Sequence, residues 1–260
     1  MKVYEGIRVD NKGNVTFNWQ RDDKNKDILL LDGFEASSFN EDDVQYIYAY
    51  NYTQKATTEE KRIVRNYLKD MKNIDEIDDF VDNGVLKLNA VKDIRSFGAF
   101  IYIKPRKPLS LISRIQSYLL DYSSPFSVDF HLVKKCYSEV TFDKNKLEVI
   151  LKKKHWSPVN IEDTVNNVEY KFDQLKKSGK LFEMKKFIPR QVREVFTDFL
   201  KFESKETEEV YRNLQGVDVL VFDDFLTSGS TIKEIIRYLK AINPSNTLKV
   251  FVLINQKDID

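Results

Sequence analysis

The chain is poor in the residues that build disulfide frameworks and soft-metal centres. It has one cysteine, Cys136, in 260 residues, so no internal disulfide can form and a reducing compartment is expected. Its two histidines, His131 and His155, are too few for a Cys/His metal site. Neither sign of charge dominates: 42 Lys and Arg face 41 Asp and Glu, leaving a formal charge of +1 and no footprint for bulk nucleic-acid binding. No apolar run is long enough to span a bilayer, and the opening MKVYEGIRVDNKGNV is charged and alternating, unlike a signal peptide. Repeats and low-complexity linkers are also missing. These absences imply a soluble, cytoplasmic protein without a membrane partner.

What is present is core material. Hydrophobic residues make up 42% of the chain and aromatics 13%, which excludes disorder despite 32% charged residues. Residues 2–20 read as a β-hairpin, with Val15, Phe17 and Trp19 alternating after the turn-forming Asp10–Asn14. Tyr46, Tyr48, Tyr50 and Tyr52 share one face of a strand, either as a packed stripe or as a platform for stacking a base. Thr57 and Glu60 form a capping box for a helix to about residue 72.

A soft boundary falls at 90–97, and beyond it strands alternate with helices. Strands are expected at 98–103, 128–134, 217–222 and 248–254. Helices are expected from Leu111 to Leu119, at 162–178 ending at Gly179, at 205–214 and at 231–242. The expected fold is α/β: a central, mainly parallel sheet flanked by helices over 96–260, with 1–95 as an N-terminal β-rich accessory lobe.

The chemistry concentrates in one segment. After the apolar run Val217–Phe222 come Asp223-Asp224-Phe225-Leu226-Thr227-Ser228-Gly229-Ser230-Thr231 and a helix. Successive amides in such a turn form an anion nest, and the helix N-terminus adds a favourable dipole. Gly229 allows a tight backbone, and Thr227, Ser228, Ser230 and Thr231 can donate to phosphate oxygens. The two acids can take sugar hydroxyls, directly or through a Mg²⁺ shell. A ligand carrying both phosphate and ribose satisfies every part; the alternative is an ordinary turn whose Ser and Thr cap the helix.

This segment resembles the 5-phosphoribosyl 1-pyrophosphate (PRPP) signature of type I phosphoribosyltransferases. The resemblance implies that Asp223 and Asp224 hold the ribose hydroxyls and a water-bridged Mg²⁺, while Thr227–Thr231 wrap the 5-phosphate. Lys104, Arg106 and Lys107, between a strand and a helix, resemble the family's pyrophosphate loop, though a solvated basic loop reads equally well. Arg106 would then join Asp223 and Asp224 as a catalytic group. The stretch Lys185–Phe196 resembles the region before the signature in ComF-like members. Lys134–Lys135, Lys152–Lys154 and Arg190/Arg193 are candidates for a closing basic loop, or are solvated charges.

The family implies transfer of phosphoribosyl from PRPP to a nitrogenous base with release of pyrophosphate, and a homodimer is the default assembly. Two other functions share the motif: a non-catalytic PRPP or nucleotide sensor, and an accessory protein of a DNA-uptake or mobile-element system. His131 reads as a satisfied core histidine. Neither His155 nor Cys136 has a partner motif.

Overall fold

The computed structural model describes residues 6–18, 29–30, 36–187 and 190–256. In chain order the strands are β1 (Gly6–Val9), β2 (Val15–Asn18), β3 (Leu29–Leu30), β4 (Ser37–Glu41) and β5 (Val44–Tyr52). Helices α1 (Thr58–Lys69) and α2 (Ile74–Val91), strand β6 (Ala99–Ile103), helix α3 (Leu111–Tyr122) and strand β7 (Val128–Lys134) follow. Next come β8 (Thr141–Phe142), α4 (Lys144–Lys153), α5 (Pro158–Lys176), β9 (Phe196–Thr197) and β10 (Leu200–Phe202). The chain closes with α6 (Lys205–Asn213), β11 (Asp218–Leu226), α7 (Ser230–Ile242) and β12 (Thr247–Asn255). It divides into two compact units: residues 1–130, 215–227 and 245–260 form the first, and 131–214 with 228–244 the second.

The first unit is built on a sheet ordered β6–β11–β12–β5–β3–β1–β2, with β4 also paired to β5. Its centre is parallel: Val219 pairs with Ala99, Phe222 with Phe251, and Val252 with Tyr48. The β5 partners β3 and β4, and the β1–β2 hairpin, are antiparallel. The α/β expectation therefore holds for the architecture, but the sheet is mixed rather than mainly parallel. Residues on both sides of position 95 share this sheet, because β5 lies between β12 and the antiparallel strands.

The tyrosine row forms part of this core. Tyr46, Tyr48, Tyr50 and Tyr52 are all buried, so none offers a face to a base. Tyr46 stacks on Phe39 and Tyr50 on Phe80, and the Tyr50 hydroxyl donates to the Phe80 carbonyl at 2.8 Å. The expected hairpin is present as β1 and β2; Trp19 lies outside the described residues. The Thr57–Glu60 capping box is formed, with both reciprocal bonds present.

Helix α2 had no counterpart in the expected elements. Its Ile77, Phe80, Val81, Val85 and Leu88 are buried, and Gly84 lets it approach the sheet. A Cβ on Gly84 would lie 2.5 Å from Leu253 Cδ1 and 3.3 Å from both Ala49 Cβ and Tyr50 Cε2.

In the second unit, residues 132–134 of β7 pair antiparallel with β10, and β8 pairs with β9. Its core is aromatic: Tyr137, Phe172, Phe182, Phe187, Phe196 and Phe199 are buried together, with Phe187 and Phe196 ring centres 4.3 Å apart. Helix α5 begins at Pro158, four residues before the expected start, because Ser157 caps it and proline suits the first helical position. Helix α7 buries Ile232, Ile235, Ile236 and Leu239, as its 3.6-residue period requires.

Candidate functional site

The segment 223–231 crosses from the first unit to the second between Thr227 and Ser228. On the first side, β11 runs through the acids to Leu226, so Asp223 and Asp224 are strand residues and not the start of a turn. Leu226 and Asn255 still pair, and the Gln256 N–H donates to the Leu226 carbonyl at 2.8 Å.

The Asp224 N–H donates to Asp223 Oδ1 at 2.8 Å. Burial, followed by the neighbouring Asp224 charge, pushes the Asp223 carboxyl up from 3.8 to about 8. The cation beside the pair is Lys69, from the last turn of α1: its Nζ lies 3.0 Å from Asp224 Oδ2 and 5.1 Å from the centre of the Phe225 ring. No sequence signal pointed to Lys69, because 155 positions of chain separate it from Asp224.

Among the described residues, no group of three or more His, Cys, Asp and Glu side chains could hold a metal.

Lys104, Arg106 and Lys107 are exposed on the loop between β6 and α3. The parallel register Val221 to Ile101 places the start of this loop at the same carboxyl edge of the sheet as the acid pair, where open α/β sheets bind ligands.

On the second side, Gly229 is the N-cap of α7 with φ +72° and ψ −3°, a left-handed conformation that favours glycine. Gly229 has no side chain with which to cap the helix. By contrast, Ser110, Ser157 and Ser204 each accept from the backbone N–H three residues on at the starts of α3, α5 and α6. At α7 the hydroxyls instead pair with each other, Ser228 Oγ to Ser230 Oγ at 2.8 Å, and Ser230 is buried. The Ser230 N–H also donates to Ser228 Oγ, at a long 3.5 Å, so the N-cap residue itself is not a Ser or Thr but a neighbouring serine still reaches the first amide.

The remaining candidates disperse. Lys134 and Lys135 sit at the end of β7, Lys152–Lys154 at the end of α4, and Arg193 in a 3-10 turn; the side chain of Arg190 lies outside the described residues. His131 is half-buried and bonded to Glu203, as a satisfied histidine should be. No described helix is long and apolar enough to cross a membrane.

The chain is thus an α/β protein in which an acid pair near a strand end precedes a helix whose N-cap is Gly229. No protein-family model matches the chain. It is 35% identical over 88 residues to a protein of Methanococcus maripaludis named transcriptional regulator GfcR, covering 34% of this chain and 38% of the relative. A Methanococcus vannielii protein of the same name is 34% identical over 88 residues, with the same shares covered. A further M. maripaludis GfcR is 46% identical over 48 residues, 18% of this chain and 22% of the relative. The chain thus spans about two fifths or less of the relatives it matches.

These relatives are named as regulators, and that overturns the transferase reading and its ComF-like variant. Neither the phosphoribosyltransferase assignment nor transfer to a base stands.

Proposed function

We propose that this chain is a regulatory protein that binds a phosphorylated sugar-type metabolite at the Ser228–Thr231 turn and does not turn it over. The left-handed Gly229 N-cap carries the reading: it brings no capping side chain to the 13-residue helix α7, whose first amide, on Ser230, has only a long 3.5 Å bond to Ser228 Oγ that an anion would replace. The name of the relatives supports a role in transcriptional control, and a cytoplasmic place of action fits that role.

The test is calorimetry with ribose 5-phosphate and with PRPP, each with and without Mg²⁺. Saturable binding of either compound that Gly229→Val abolishes is the expected result. Equal binding by wild type and Gly229→Val would overturn the reading, because a β-branched side chain cannot follow the glycine backbone.

A further inference from the structure

Away from segment 223–231, the second unit holds a cleft of about 710 Å³ between α4 and α5. That volume lies within the roughly 300–1,000 Å³ of small-molecule sites. Its floor is apolar, from the buried Ile161 and Val165 with Pro158, and the half-buried Trp156 supplies an aromatic wall.

The turn that presents Trp156 is fixed by backbone geometry. The His155 N–H donates to the Lys152 carbonyl at 3.0 Å and the Trp156 N–H to the Leu151 carbonyl at 3.3 Å, closing a Schellman motif. The motif puts His155 at φ +57°, where glycine is the favoured residue. A histidine with left-handed backbone geometry thus stands among the residues that line the cleft.

The rim decides the occupant. Lys144 is paired with Glu169 at 2.7 Å, and the Lys152 ammonium lies 3.7 Å from Glu148. Glu148 and Glu162 supply carboxylate acceptors, and Asn166 supplies a donor and an acceptor. Carboxylates favour a ligand with amino donors over one with phosphate. A planar ring that stacks on tryptophan and presents an exocyclic amine meets both demands.

We propose that the α4–α5 cleft binds a free amino-bearing nucleobase or nucleoside, stacked on Trp156. The inference is independent of the phosphate turn, because a nucleoside carries no phosphate.

The experiment uses the full chain carrying Trp19→Phe, which leaves Trp156 as the only tryptophan. Adenosine is expected to quench Trp156 fluorescence saturably, and inosine, which lacks the amine, to bind at least several-fold more weakly. In calorimetry, Trp156→Ala should weaken adenosine binding about tenfold or more, the scale of one lost stacking contact. His155→Gly should raise Tm by relieving the left-handed strain while weakening binding several-fold, which separates recognition from folding. Gly229→Val should bind adenosine like wild type. No saturable adenosine response at millimolar concentration, equal affinity for inosine, or unchanged binding in both Trp156→Ala and His155→Gly would overturn the proposal.

Discussion

Asp223 gives the fold a pH dependence of its own. Its folded-state carboxyl is raised to about 8 from the ordinary 3.8, so the folded chain holds a proton that the unfolded chain releases. Stability should therefore fall as pH rises between those two values. Asp223→Asn keeps the shape without the charge. It should raise Tm at pH 8, leave it nearly unchanged at pH 4, and flatten the slope between; a wild-type Tm that does not fall over this window would contradict the assignment. The motif that drew attention to Asp223 was readable because it is contiguous. The burial that raises its carboxyl, and the Lys69 contact with Asp224, were not, since both come from residues far away in sequence; only the adjacent Asp224 charge was local.

Among the elements, α1 and α7 were legible because caps and 3.6-residue periods are local. The capping box predicts that Thr57→Ala destabilises the fold by about 1 kcal/mol, measured by urea unfolding. Helix α2 was missed because Asp75, Glu76, Asp78, Asp79 and Asp82 interrupt the apolar stripe that it buries. Helix α4 was hidden in the same way by its lysines. At Gly84 two effects oppose each other. Alanine gains about 1 kcal/mol of helix propensity, but a Cβ 2.5 Å from Leu253 overpacks the core at about 1–3 kcal/mol. Gly84→Ala should therefore lose about 1 kcal/mol net, and an unfolding curve showing a gain would mean that α2 does not press on β12 as described.

For the whole molecule, strand order was the least legible feature, because pairings such as Val252 with Tyr48 join segments some 200 residues apart. Periodicity marks a strand but not its neighbour, so the first 95 residues read as an added lobe when they in fact supply β5 to the sheet. Function was misjudged at the same scale: a signature segment reports the ligand chemistry it can cradle, not whether the bound molecule reacts. The central claim is binding without turnover, and one mixture tests it. Wild-type protein and Gly229→Val are incubated with PRPP, Mg²⁺ and a panel of purine and pyrimidine bases, while bound PRPP and released pyrophosphate are both measured. The account predicts no pyrophosphate above background with any base, and PRPP, where it is held, retained by the wild type alone; pyrophosphate release that depends on both the base and Gly229 would contradict it.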